Sequence, residues 1–462
     1  TEQLKLKLND SKATRWGALV IVAFTMMAAY YVNDVVAPLK TMLETDLAWS
    51  STDFGFFTGG YSFLNVFFLM LIWGGLILDR FGIRFTGKLT TILMVGGTAL
   101  EYYAMTGLAG TDATLFGINE IFGYKTGVFV AFAGYSIFGV GAEVAGITVS
   151  KIIAKWFKGK ELATAMGVQV ALARIGSQAG YAVAIPLARA FGISTPVLLG
   201  LVLLLGGMIA FFVFTVMDKK LDKQMEAAAI AAGTEDEEEK FSFKDVKNIL
   251  VNPGFWLIAL LCVLFYSCVF PFQKFASELM IIKYGINENV AGTFAGLPAL
   301  GALILTPVFG GFIDKRGKSA SIMLLGSAML ICVHFIYAIP DINYWLVAIV
   351  LMIILGIAFS LVPSAMWPAV AKIFPVSQLG TAYALIFFIQ NIGLWGIPTL
   401  IGWVLDAYCI SGKKPDGTNM YDYTVPMCIF TGIACLSLVV ALLLKKADRK
   451  YGYKLEEPNI QK

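Results

Sequence analysis

The chain has 462 residues, 58% of them apolar and only 14% charged, with a formal charge of +4 and a single histidine. A water-soluble domain carries about a quarter charged residues, so this composition excludes an ordinary soluble fold. The small positive surplus is no argument for a nucleic-acid partner; the partner it implies is a lipid bilayer.

Twelve apolar stretches of about 20 residues, the length that a hydrocarbon core about 30 Å thick requires, run from Trp16 to Leu444. They lack period-2 alternation, so the expected class is an all-α membrane protein rather than a barrel. The spans are expected near 16–38, 54–78, 87–107, 128–155, 161–191, 195–217, 255–279, 290–313, 319–339, 343–371, 379–405 and 423–444. The polar stretch 218–254 divides them six and six. The organisation is therefore read as an N-terminal segment 1–15, a six-helix bundle 16–217, a linker 218–254, a second six-helix bundle 255–444 and a tail 445–462. Of the 35 Lys and Arg residues, 27 fall on the side of the termini and 7 on the other. The positive-inside rule then puts both termini in the cytoplasm.

In chain order, Asp34 near the outer end of the first span is read as an outer gate or an interfacial carboxylate. Between spans 2 and 3 stands Gly75-x-x-x-Asp79-Arg80-x-Gly82-x-Arg84, and between spans 8 and 9 stands Gly310-x-x-x-Asp314-Lys315-x-Gly317-Lys318. Glycine permits a sharp turn at a helix end, while the Asp is suited to accept from a neighbouring helix N-terminus. The linker, with its charge run Glu235 to Lys240, is read as a solvated tether. Lys274 and Glu278, one turn apart at the end of span 7, look like an exposed ion pair of little weight. The lone His334 is read as a packing residue, and the six cysteines show neither metal spacing nor a disulfide framework. A P-loop, paired catalytic carboxylates and a Ser/His/Asp set are all missing, so an enzyme, a metal site, a cofactor and an ATP-driven pump are not expected.

Two charges lie deep in the first half, Glu143 in span 4 and Arg174 in span 5. They are equidistant from the turn at 158–159, so at 1.5 Å per residue they share a depth in one antiparallel hairpin. A charge there costs at least about 2.5 to 3.5 kcal/mol and marks a polar pathway. One reading is a salt bridge that clamps the two helices. The other is a cavity for a small zwitterionic solute, whose amine meets Glu143 and whose carboxylate takes the fork of Arg174. By the same arithmetic Asn65, Tyr266, Gln390 and Asn391 come near that depth and offer neutral hydrogen-bonding groups.

The twin glycine-rich loops resemble the signature loop of the major facilitator superfamily, whose two six-helix bundles rock about a central cavity. Within it, Glu143-Val144-Ala145, Trp156 to Leu162, Ala173 to Ser177, Tyr30 to Asp34, Tyr61-Ser62 with Asn65-Val66, Phe265 to Phe272, and Trp367 through Gln390 to Leu394 resemble the lysosomal dipeptide uniporter branch. The resemblance implies a transporter that moves dipeptides by alternating access without obligatory proton flux, with Glu143 and Arg174 reading the peptide termini. It also implies that Tyr30 and Tyr61 line the site and that Trp367 acts at an inner gate. An acidic dileucine signal is missing from the N-terminal segment, so a plasma (inner) membrane is expected in place of a lysosome. The alternatives are a proton-coupled carrier or exchanger of small organic anions or amino acids, and a non-transporting receptor or partner-binding subunit. The reading leaves room for an accessory membrane subunit.

Overall fold

Helices carry nearly all of this chain, whose computed structural model describes residues 7–110, 113–157, 160–232 and 243–458. The first half comprises α1 (Lys12–Val35), α2 (Lys40–Leu47), α3 (Ser51–Phe67), α4 (Met70–Thr106), α5 (Thr126–Trp156), α6 (Leu162–Phe191) and α7 (Thr195–Ala232). After α8 (Phe243–Val251) the second half comprises α9 (Pro253–Tyr284), α10 (Glu288–Ala295), α11 (Leu297–Arg316), α12 (Ser319–Ala338), α13 (Trp345–Ile373), α14 (Val376–Tyr408) and α15 (Thr424–Tyr451). Two short hairpins, β1 (Glu120–Ile121) with β2 (Tyr124–Lys125) and β3 (Ile410–Lys413) with β4 (Asn419–Tyr421), lie at the end opposite the termini, here the far face.

These elements make the twelve expected crossings. The second is α3 continued by the first arm of α4, the third is the second arm of α4, and the eighth is α10 with α11. Gly82 separates the two arms of α4 with φ 76° and ψ 175°, and Gly317 ends α11 with φ 70°. The repeated loop thus places a left-handed glycine at the equivalent point of each half, a backbone that a Cβ disfavours. Local sequence sets other ends as well. Ser50 and Asp53 form a reciprocal cap on α3, and Asn252 with Pro253 opens α9, which Gly285 closes in a left-handed C-cap.

Span 2 is not one straight rod, because α3 and α4 meet at 59°. The break falls at Leu69, left-handed at φ 53°, where neither Gly nor Pro advertised it. The linker also begins later than expected. Asp218 belongs to α7, wholly buried, and accepts from Trp156 Nε1 at 2.9 Å and Lys155 Nζ at 2.8 Å, with Arg84 Nη1 at 3.4 Å. A carboxylate that neutralises cations of two neighbouring helices lets α7 continue past the apolar stretch as ordered helix. The charge run 235–240 and the turn 158–159 lie outside the described residues.

The halves meet most intimately along α3 and α14. A Cβ on Gly55 would stand 2.4 Å from the Pro398 carbonyl oxygen, one on Gly59 2.7 Å from that of Trp395, and one on Gly402 2.3 Å from that of Ser51. Small residues there let main chain meet main chain, as membrane helices commonly do.

Candidate functional site

Between the halves lies a cavity of about 480 Å³. From the first half it is lined by Tyr30 of α1, Tyr61 of α3, Glu143 of α5 and Arg174 of α6, and from the second by Tyr266 of α9, Trp367 of α13, and Gln390 and Asn391 of α14. Each expected site residue in the spans is therefore in its wall except Asn65. That side chain is wholly buried, with neither amide atom hydrogen-bonded. Depth alone placed it at the site, but the side chain is sealed inside the protein and does not reach the cavity wall.

Glu143 and Arg174 face this space without pairing to each other: among the described residues no ion pair within 4.0 Å joins them. Glu143 Oε1 accepts from the Tyr61 hydroxyl at 2.8 Å. The Arg174 guanidinium lies 4.8 Å from the ring centre of Phe359 and 5.7 Å from that of Tyr30. A cation over aromatic faces is held electrostatically while its in-plane N–H donors stay available. The clamping salt bridge is thus not the arrangement found; an acceptor and a donor fork are both presented to one space.

Aromatic groups form the rest of the wall. Trp367 Nε1 donates to the Tyr266 hydroxyl at 3.3 Å and its ring stacks on Phe387 at 4.8 Å, while Tyr266 stacks on Phe270 at 5.5 Å. Asn391 Nδ2 is spent on the Phe387 carbonyl at 2.9 Å, leaving its Oδ1 unpartnered.

The far end of the cavity is closed by charges that bridge the halves. Lys274 of α9 donates to the Asn33 carbonyl at 2.6 Å and to the Tyr135 hydroxyl at 3.2 Å, and reaches Asp34 at 3.4 Å. Asp34 in turn accepts from Ser177 at 2.5 Å. Beyond it, Lys40 of α2 reaches Glu44 and Glu278 at 2.5 Å each, and the Tyr423 hydroxyl also donates to Glu278. Asp406 accepts from the backbone of Ser51 and Thr52, and Arg189 pairs with Glu288. Lys274 and Glu278 are therefore not an exposed pair: they are 8% and 1% exposed, and each turns to the opposite half. The reason is the length of α9, which runs five residues past the expected end and so sets both charges roughly 7 Å deeper. Their position amid apolar residues, FPFQKFASELM, was the signal available. Lys274, which lines the cavity, was missed for that reason; Asn33 of α1, also in the wall, is a single amide near a span end with nothing to mark it, and α2 had no sequence signature.

At the face of the termini the described ion pairs stay within one half. Arg15 grips Glu161 at 2.8 Å, Lys160 meets Asp10 at 2.9 Å, and Arg84 meets Asp222 at 2.5 Å. Lys160 and its hydrogen bond hold the Asp10 carboxyl below its ordinary range. Asp79 faces Lys151 at 3.3 Å, a side-chain partner where a helix N-terminus was expected. Arg80 lies against Phe81, and a Cβ on Gly75 or Gly310 would meet nothing within 4 Å. Asp314 and Lys315 occupy the last turn of α11. Toward this face the wall residues Ile147, Ser150 and Val170 are exposed. The cavity is closed at the far face and approached from the side of the termini.

His334 packs between Phe272 and Phe430 with Nε2 3.0 Å from the Cys268 carbonyl oxygen, away from the cavity lining.

Comparison with known proteins gives a consistent picture. A model of the Major Facilitator Superfamily matches residues 19–398 and again 284–457. A human protein named lysosomal dipeptide transporter MFSD1 is 28% identical over 454 residues, covering 95% of this chain and 88% of that protein. The Gallus gallus protein of the same name is 33% identical over 287 residues, 59% of this chain and 62% of its own length. Among solved structures, the nucleoside transporter NupG superposes with a TM-score of 0.67 at 11% identity, covering 92% of this chain and 99% of that one. The peptide transporter POT in complex with sulfate gives 0.67 at 15% identity, covering 95% of each. At these identities the superpositions speak for the fold alone.

Proposed function

This chain belongs to the Major Facilitator Superfamily, a multi-pass membrane transporter and not an enzyme, and from that premise we propose that it carries dipeptides by alternating access. The observation that supports this reading is the pair of opposite charges, Glu143 and Arg174, left unpaired with each other across one cavity that both halves line. A dipeptide zwitterion supplies what each lacks: its ammonium group meets Glu143 and its carboxylate takes two N–H bonds from Arg174. A volume of about 480 Å³ lies within the usual range of roughly 300–1,000 Å³ for small-molecule sites. Tyr30, Tyr266, Phe270, Trp367 and Phe387 provide rigid apolar surface for varied peptide side chains, and the Gln390 amide is available for the peptide bond. Trp367, bonded to Tyr266 and stacked on Phe387, is assigned the inner gate in this reading.

Among the described residues Glu143 is the one acidic side chain in the cavity lining. A carboxylate that pairs with the peptide amine in each cycle is not also free to release and rebind a proton, so movement runs down the dipeptide gradient. The Lys and Arg bias supports cytoplasmic termini, which makes the far face the lumenal or external side. The lysosomal relatives do not favour a plasma-membrane address, and surface biotinylation beside imaging of the tagged chain separates the two locations.

The test uses purified protein, with thermal shift and liposome uptake read for free, N-acetylated and C-amidated forms of one dipeptide. A ligand that binds the folded state raises the melting temperature by mass action. Free peptides should stabilise and be taken up, while either cap should weaken binding by roughly 30-fold or more, the effect of leaving a buried charge unpaired at about 2 kcal/mol or above. Capped peptides that bind as well as free ones would remove the zwitterion reading.

A further inference from the structure

Behind the far seam lies a carboxyl group for which the transport cycle above has no use. Glu101 of α4 is 0% exposed, and neither of its oxygens has a hydrogen-bond partner. Its side of α4 is dry, since a Cβ on Gly134 of α5 would stand 2.6 Å from the Gly97 carbonyl oxygen and 2.9 Å from the Glu101 amide nitrogen. The groups within its electrostatic reach are Tyr135 of α5 and Lys274 of α9, and behind Lys274 stands Asp34 of α1. α7, also packed on α4, is apolar from Pro196 to Phe214 apart from its glycines. Lys274 and Asp34 already balance each other. An ionised Glu101 would add a net negative charge in a site with no donor aimed at it, an arrangement that desolvation strongly opposes.

We propose that Glu101 is a proton-binding site loaded from the far face alone, so that its proton stabilises the closed far gate and does not accompany the cargo across the membrane. The geometry supplies each step. With the gate closed, Tyr135 and Lys274 stand between Glu101 and the cavity, so the proton is trapped. When the halves part at the far face, α9 takes Lys274 away from Asn33 and Tyr135, and water from that side reaches the carboxyl. There Glu101 releases its proton as the carboxylate becomes hydrated, and it must take one up again before the seam can reseal. Since the proton enters and leaves on one side, it regulates the gate and carries no net charge through. The inference rests on the alternating-access reading but not on the identity of the cargo.

One linked proton changes the closed-to-open ratio by up to about tenfold per pH unit within the range where the group titrates. The experiment places the full chain in liposomes of known orientation, with reporter labels on Thr45→Cys and Val290→Cys across the far seam, in a background lacking the exposed cysteines. No cargo is added, so failure of dipeptide binding and failure of this proposal are separate results. Acidifying the far side should raise the closed fraction, while acidifying the side of the termini should leave it unchanged. Glu101→Gln should stay closed at every pH. In infrared spectra the closed wild-type protein should show a protonated carboxyl band that Glu101→Asp shifts. A gate indifferent to far-side pH, a response to the other side, a Glu101→Gln protein with the wild-type profile, or a carboxyl band that Glu101→Asp leaves unmoved would each overturn the proposal. Should Glu101→Gln fail to fold, the one-sided pH response and the infrared band decide the matter without it.

Discussion

Two regions of this protein bury charges and treat them in opposite ways. At the far seam, Lys40 joins Glu44 to Glu278 across the halves at hydrogen-bond distance, and Tyr423 donates to Glu278 as well. In the cavity, Glu143 and Arg174 are held apart by a tyrosine hydroxyl and by aromatic rings. A charge with a protein partner stabilises one arrangement of the halves; a charge without one is kept for a solute. The same membrane cost of burial thus underlies a lock in one place and a binding site in the other.

The comparison breaks most visibly if the lock is opened. Lys40→Ala leaves Glu44 and Glu278 without the ammonium group they share, and removing one partner of a buried pair costs about 3–5 kcal/mol, with Lys414 at 3.6 and 3.7 Å offering part relief. A lowered melting temperature and a shift of far-seam label distances toward the open state are expected. A closed seam of normal stability would mean that these charges do not lock it.

In the cavity the expectation is reversed, with large effects on transport and small ones on folding. Arg174→Ala should abolish uptake while the protein still inserts, and Glu143→Gln should weaken dipeptide binding by roughly 30-fold or more with little change in melting temperature. If both variants chiefly unfold the protein and residual uptake keeps normal affinity, the two residues belong with the structural charges after all.

The smallest effect belongs to the exposed pair in the signature loop. Asp79 and Lys151 are 61% and 37% exposed in their side chains, and such pairs are worth about 0–1 kcal/mol. Asp79→Asn should leave the melting temperature nearly unchanged. A drop of many degrees would show that the loop carries load that its exposure hides.

Much of this was legible in advance, and the exceptions have physical causes. The apolar stretches read as crossings because a bilayer leaves few alternatives, and the twin loops read as a repeat because a left-handed glycine is hard to replace. Glu143 and Arg174 were legible because charges are rare at that depth. Lys274, Glu278 and Glu101 were misjudged or overlooked because each lies near a span end, where sequence position cannot tell lipid surface from protein seam. Asn65 shows the converse, since depth fixes the height of a side chain and not whether the protein around it seals it from the cavity. The bend at Leu69 and the buried Asp218 depend on tertiary contacts that no local pattern announces.

Along α3 and α14 the backbones of the two halves touch at Gly55, Gly59 and Gly402, with the small Thr399 hydroxyl beside Gly59 as the one side-chain group among their nearest neighbours. Knobs seated in holes must be withdrawn before one helix can turn on another, whereas smooth main-chain surfaces can roll. This line is therefore a bearing: the halves keep contact there while the spaces on either side widen and narrow in turn. A methyl group at Gly55, meeting the Pro398 oxygen at 2.4 Å, would be grit in it.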